Sequence, residues 1–172
     1  MDQDLKSALD NADEDCLEEI VRLAESRLSA QLSTALACDQ RAMTFLGFVT
    51  AVAVVLVGTS VTTSNDILAT IAGLAGLGFA LSGYFAFRAA RPVPFDLVGN
   101  DPSCFIDELQ AGEKRKKYLS EQAQFYDDML RDNRTLMAEN SFSLRLASGV
   151  AEVTVAVGGV FAILYRLSLL AS

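Results

Sequence analysis

The chain has 172 residues, of which 51% are hydrophobic, and 22 acidic residues against 14 basic residues give it a net charge of −8. This acidic excess argues against binding to a nucleic acid polymer. The sequence contains no histidine, which excludes Ser-His-Asp and Cys-His catalytic arrangements, and no Cys-x-x-Cys pair predicts a zinc site. We therefore expect a protein that is not an enzyme and that holds neither a metal nor a cofactor.

Residues 1–41 are predicted to form an acidic amphipathic helix. The apolar side chains that recur at steps of three and four residues, as on one face of a helix, are Leu17, Ile20, Val21, Ala24, Leu28, Leu32 and Ala35. No proline or glycine occurs between Asp13 and Gly47, so the helix is predicted to continue into the first apolar segment. Asp39 and Arg41 stand at this boundary, where a cytoplasmic event could reach the membrane part, although ordinary interfacial residues would look the same.

Two stretches without a charged residue follow, at 42–65 and 67–87. A membrane span needs about 20 predominantly apolar residues, so residues 42–91 are predicted to form a transmembrane hairpin with spans at about 42–62 and 67–88. Residues 146–172 are predicted to form a third transmembrane helix and a short outer tail. This third apolar segment is long enough to span a membrane only if Glu152 is included.

Residues 92–145 are predicted to form a cytoplasmic loop and helices. Two prolines at 92 and 94 end the second span, and a short helix is expected over 102–111, ending near Gly112. A second amphipathic stripe between Tyr118 and Met137 then runs towards the third span. The predicted fold class is an all-α membrane bundle of three transmembrane helices, in which the long cytoplasmic helices form a stalk.

Basic residues predict the orientation of this bundle. Those that flank the spans are Arg22, Arg27, Arg41, Arg88, Arg91, Lys114, Arg115, Lys116, Lys117, Arg131, Arg134 and Arg145, whereas the turn at 60–66 has none. Lysine and arginine accumulate on the cytoplasmic side of membrane proteins. We therefore expect the N-terminus and residues 92–145 in the cytoplasm, and the turn and the C-terminus outside.

Small residues in the spans stand four positions apart, a spacing that lets membrane helices approach closely. They include Gly73, Gly76, Gly78 and Ser82 in the second span, and Gly158 and Ala162 in the third. They could pack within the chain or between subunits. The apolar stripes and small-residue faces have too few partners within one chain, so a homo-oligomer in a lipid bilayer is predicted.

Glu152 is enclosed in an apolar stretch, and an ionisable residue inside a membrane is a candidate functional group. It could line a pore, bind a proton, or pair with Arg88 at the inner end of the second span. Alternatively, it could simply reach the interface. The basic run Lys114, Arg115, Lys116 and Lys117 could bind the phosphates of a nucleotide or a lipid headgroup, or it could be a solvated helix face that only sets the topology.

The layout resembles a known class of protein. A polar step at 37–42 before the first span, a tight outer turn, an Arg-Pro exit at 91–92 and a helical segment before the third span are similar to small transmembrane effectors of bacterial cyclic-nucleotide antiphage systems. The chain most resembles Pycsar transmembrane effectors and, more loosely, SLATT-domain proteins. Where these effectors often have Ala-Asp-x-Lys-Ala, this chain has Cys-Asp-Gln-Arg-Ala at 38–42, so Asp39 and Arg41 are the matched positions.

This resemblance implies an oligomer in the bacterial inner membrane that senses a cyclic nucleotide and impairs the membrane as an ion channel or a similar effector, in antiviral defence. A different class of function is also open. The chain could be a non-catalytic structural or accessory subunit of a larger membrane complex.

Overall fold

The computed structural model describes residues 3–99, 106 and 114–171. These residues form helices and contain no strand: α1 (Gln3–Asn11), α2 (Glu14–Thr62), α3 (Asp66–Ala89) and α4 (Arg115–Ala171). The all-α fold class is confirmed. The short helix predicted over 102–111, with its end at Gly112, lies outside the described residues except for Ile106.

Three helices, α2, α3 and α4, are each long and apolar enough to cross a membrane. This indicates that the protein is associated with a membrane. The 49 residues of α2 and the 57 residues of α4 correspond to about 74 Å and about 86 Å at the helical rise of 1.5 Å per residue. The hydrocarbon core of a bilayer is about 30 Å thick, so each of these helices is much longer than one span.

The chain divides into two compact units. The first unit comprises Met1–Leu36 and Val93–Met137, and the second unit comprises Ala37–Pro92 and Ala138–Ser172. Helices α2 and α4 each contribute residues to both units. The division of the sequence into residues 1–41, 42–91, 92–145 and 146–172 remains a prediction.

The first unit is built around a small apolar core. Its buried members are Leu9 of α1, Leu17 of α2, and Leu119 and Ala123 of α4. Asp13 caps the start of α2, because its carboxylate accepts a hydrogen bond of 2.7 Å from the backbone N–H of Cys16. Asp13 is therefore the N-cap of α2, whose first helical residue is Glu14.

A buried amide joins the segment after the prolines to α4. Asn133, with 0% of its surface exposed, accepts a hydrogen bond from the backbone N–H of Asp96 and donates one to the carbonyl oxygen of Asp96, both at 3.0 Å. The side chain thus pairs with the backbone as a second strand would. The backbone N–H and carbonyl groups of Asp96, which are partly buried, are therefore both hydrogen-bonded.

The second unit packs α2, α3 and α4 around one apolar cluster. Its buried residues are Val49, Ala53, Phe79 and Ala151. Asn65 caps α3 by accepting a hydrogen bond of 3.0 Å from the backbone N–H of Leu68. The turn before α3 is therefore held by local capping.

Candidate functional site

The basic segment, residues 114–117, lies at the beginning of α4. Arg115 is the first residue of the helix, and the carbonyl oxygen of Lys114 accepts the first hydrogen bond of the helix, 2.9 Å from the nitrogen of Lys117. The N-terminal end of a helix carries a partial positive charge. Four basic side chains at this end therefore create a strongly positive region that favours an anion.

Two carboxylates of α2 meet this region at Arg115. The Arg115 Nη1 atom lies 3.0 Å from Glu14 Oε1, and its Nη2 atom lies 2.8 Å from Glu18 Oε2. The carboxylates of Glu18 and Glu14 raise the pKa of the Arg115 guanidinium above its ordinary value. The side chains are 44% to 58% exposed, and ion pairs in water contribute little to stability. These two ion pairs therefore stabilise the fold only weakly.

The remaining lysines of the segment differ in their surroundings. Lys117 lies 3.9 Å from Glu121 Oε1, one helical turn further along α4. Lys114 is exposed and Lys116 is half-buried, and neither takes part in an ion pair with the residues that the structure describes. The basic segment thus contains Arg115, which forms ion pairs with two carboxylates, and two lysines, Lys114 and Lys116, that could bind an anion.

Behind the basic segment, the first unit contains buried polar side chains that sequence reasoning missed. Ser120 is 2% exposed and donates a hydrogen bond of 2.8 Å to Asp10 of α1. Tyr126, 1% exposed, donates one of 3.1 Å to Glu25 of α2. The sequence feature that indicates a buried Ser120 is its position directly after Leu119, which belongs to the apolar stripe of α4.

In the second unit, the small residues of α3 pack against both neighbouring helices. A methyl group at Gly76 would lie 2.8 Å from Val57 Cγ2 of α2, and one at Gly73 would lie 3.0 Å from Ser60 Oγ. Gly78 lies directly against Thr154 of α4. These three glycines therefore mark close helix approach within the chain.

The predicted packing residues of α4 make weaker contacts. A methyl group at Gly158 would meet Ala75 Cβ only at 3.9 Å, and Ala162 is exposed. A buried polar contact between α3 and α4 is made by Ser82, which is fully buried and donates a hydrogen bond of 2.7 Å to the carbonyl oxygen of Ala147.

None of the ion pairs or side-chain hydrogen bonds in the part of the chain that the structure describes joins two of the candidate gating residues. Glu152 is exposed on α4, directly after the buried Ala151. Asp39 is half-buried on α2, and Arg41 is exposed two residues further on.

Arg88 lines an open cleft of about 340 Å³ between α3 and α4, which we call the Arg88 cleft. The lining residues are Phe85, Arg88, Glu139, Asn140, Phe142, Ser143 and Leu146. The acid that shares this cleft with Arg88 is Glu139. Glu152 lies 13 residues beyond Glu139 on the same helix, a distance of about 20 Å along the axis, so the structure does not bring Arg88 and Glu152 together.

No protein-family model matches the chain, and no curated protein or solved structure is detectably similar to it.

Proposed function

We propose that the protein is an oligomeric effector of the bacterial inner membrane, with channel-like activity, that responds to a small anionic signal in the cytoplasm. The observation that carries this proposal is the sharing of α2 and α4 between the two units. The helix that begins with the basic segment is the same helix that ends in an apolar stretch long enough to cross a membrane. An event at its beginning can therefore alter its far end without a separate connecting element.

The proposed orientation places the first unit in the cytoplasm and the C-terminus outside. It rests on the basic residues that flank the apolar stretches and on their absence from the turn at 60–66. The amphipathic parts of α2 and α4 then form a stalk beneath three spans. The basic segment faces a compartment that contains nucleotides.

The proposed signal is a cyclic nucleotide whose phosphate binds the basic segment. The phosphate would compete with Glu14 and Glu18 for Arg115, and Lys114 and Lys116 would add charge to the site. A ligand shifts a conformational equilibrium only when it binds two states with different affinity. Release of two carboxylates from Arg115 provides such a difference, because the ion pairs exist in one state and not in the other. The resemblance to Pycsar effectors supports the choice of a cyclic nucleotide and a role in antiphage defence.

Self-association of α4 is the proposed basis of the membrane activity. None of the apolar 18-residue stretch of α4 is buried within the chain, against 28% for that of α3. Glu152 is exposed in this apolar part of α4, and a charged side chain that faces lipid is costly. Contact with other copies, around a path that contains water, would remove Glu152 from lipid and bury part of the apolar stretch.

Ion flux from liposomes that contain the purified protein tests this proposal. Flux should rise when a cyclic nucleotide is added on the side of the first unit. Arg115→Gln should weaken the response to the nucleotide, whereas Arg134→Gln, which removes an exposed arginine of the same helix, should not. Glu152→Gln should change the flux without changing nucleotide binding or the amount of protein in the liposomes.

Liposomes that stay impermeable with every cyclic nucleotide, together with a Glu152→Gln variant that behaves like the wild type, would contradict the effector proposal. The accessory-subunit function would then replace it. Purification from cells would be expected to recover a different membrane protein in a constant ratio.

A further inference from the structure

The Arg88 cleft lies where the apolar part of the second unit ends. Residues 67–87 of α3 carry no charge, and Arg88 follows them directly in the last turn of the helix. On α4, Glu139 comes before the apolar stretch that begins near Leu146. The cleft therefore spans the boundary between the polar and apolar parts of both helices, which is the depth of lipid headgroups when α3 and α4 cross a bilayer.

The residues that line the cleft are of two kinds, apolar and polar. Three apolar side chains, Phe85, Phe142 and Leu146, form part of its wall. Phe142 is 59% exposed and Leu146 is 38% exposed, so both offer apolar surface to a molecule that enters from the bilayer. This part of the cleft suits the glycerol and the first methylene groups of a lipid.

The polar part of the cleft contains one positive and one negative side chain. Arg88 and Glu139 face the same space of about 340 Å³ but form no ion pair with each other. Asn140 and Ser143 supply neutral hydrogen-bonding groups beside them, and Ser143 is only 9% exposed. A molecule that carries one negative and one positive group can bridge the two charges and leave the site electrically neutral.

We propose that the Arg88 cleft binds the headgroup of a zwitterionic phospholipid with a primary ammonium group, of the phosphatidylethanolamine type. The guanidinium of Arg88 binds the phosphate, for which its planar array of N–H donors is well suited. The carboxylate of Glu139 accepts hydrogen bonds from the ammonium group. The cleft volume falls at the lower end of the range of about 300 to 1,000 Å³ that is typical of small-molecule sites.

This geometry predicts a preference among lipids. Phosphatidylglycerol offers no ammonium group and leaves Glu139 unpaired near a second negative charge. Phosphatidylcholine carries a quaternary ammonium group that has no N–H to donate. Phosphatidylethanolamine satisfies both charged side chains, so it should be retained best. The inference requires that α3 and α4 cross a bilayer, and it does not depend on a response to nucleotides or on ion flux.

Native mass spectrometry of the full-length protein, released from mixed micelles with the three lipids at equal concentration and with identical acyl chains, tests the inference. The wild type should retain phosphatidylethanolamine about tenfold better than either of the other lipids, as expected for charge-assisted hydrogen bonds. Arg88→Gln should lower retention of phosphatidylethanolamine about tenfold. Glu139→Gln should abolish the preference for phosphatidylethanolamine over phosphatidylcholine while retention of phosphatidylcholine persists.

Two controls remove exposed charges outside the cleft, Arg91→Gln on the α3 side and Asp132→Asn on α4. Both should keep the wild-type lipid preference. Equal retention of the three lipids by the wild type, or a preference in Glu139→Gln as large as in Asp132→Asn, would overturn the inference. Because Glu139→Gln is judged by the ratio of two lipids on the same folded protein, a loss of protein stability cannot imitate the expected result.

Discussion

The phenol of Tyr126 is buried between α2 and α4 in the first unit. Burial raises the pKa of Tyr126 above its ordinary value of 10.0, and the nearby Glu25 carboxylate raises it further. The fold therefore stabilises the neutral phenol relative to the phenolate. This stabilisation is fully present below the ordinary pKa and is lost as the pH rises through the raised pKa.

Tyr126→Phe should make the stability of the first unit less sensitive to alkaline pH. The variant lacks the group whose ionisation destabilises the folded state, although it also loses the hydrogen bond of 3.1 Å to Glu25, so it should be less stable than the wild type near neutral pH. The measurement is the apparent unfolding temperature between pH 8 and pH 11. This range extends from about two pH units below the ordinary tyrosine pKa to about one pH unit above it. The same alkaline slope in both proteins would contradict the assignment.

Gly78 determines how closely α3 approaches α4. A methyl group there would overlap the side chain of Thr154, and a β-branched side chain in a helix has little rotamer freedom with which to yield. Gly78→Ala should therefore lower the stability by about 1 to 3 kcal/mol, as overpacking usually does. Unfolding in detergent provides the measurement.

Gly159 provides the matched control, because a methyl group there meets nothing within 4 Å. Gly159→Ala should be as stable as the wild type or more stable by up to about 1 kcal/mol, because alanine has the higher helix propensity. Adding Thr154→Ala to Gly78→Ala should restore part of the loss, since it removes the overlapping atoms. Equal stability of Gly78→Ala and Gly159→Ala would contradict the close contact between α3 and α4 at Gly78.

At the scale of elements, sequence periodicity predicts α2 and α4, whereas the single helix predicted over 1–41 is divided into α1 (Gln3–Asn11) and the beginning of α2 at Glu14. The run from Asp13 to Leu46 contains neither proline nor glycine, and α2 continues through it to Thr62. The second stripe likewise belongs to one long helix, α4 (Arg115–Ala171). Local rules suffice for these features, because helix interruption and capping depend on residues that are neighbours in sequence.

The contacts between helices could not be predicted in the same way. Periodicity indicates which face of a helix is apolar, but it does not give the register of that helix against another. The ion pairs of Arg115 with Glu14 and Glu18 therefore had no signal in the sequence. For the same reason Glu152 was considered as the partner of Arg88, and Glu139 was not.

The proposed coupling between the basic segment and the apolar stretch of α4 requires that α4 is one continuous helix. Ala138, an exposed residue within α4, allows this continuity to be tested. Ala138→Pro removes a backbone hydrogen bond and bends or breaks the helix, so the liposome flux should lose its dependence on nucleotide while nucleotide binding remains. Ala138→Gly keeps the hydrogen bond and costs about 1 kcal/mol of helix propensity, and it should retain most of the response. An unchanged response in Ala138→Pro would contradict coupling through α4.

For the whole molecule, the proposals share one arrangement. In this proposed arrangement, three apolar stretches would cross the membrane, with the first unit in the cytoplasm and the turn between α2 and α3 outside. The described residues contain three helices that are long and apolar enough for this. The distribution of basic residues supports the orientation, because the turn at 60–66 carries none while the segments before the first and third apolar stretches each carry several.

The most direct test of this arrangement is the labelling of single cysteines in intact cells. In a protein whose three native cysteines are replaced, one new cysteine would stand at Ser64 in the turn, and another, in a separate variant, at Thr135 on α4. Both positions are exposed, so accessibility within the fold does not distinguish them. We predict that a membrane-impermeant maleimide labels Ser64→Cys in intact cells and labels Thr135→Cys only after the membrane is opened. Labelling of Thr135→Cys in intact cells, or protection of Ser64→Cys, would contradict the account.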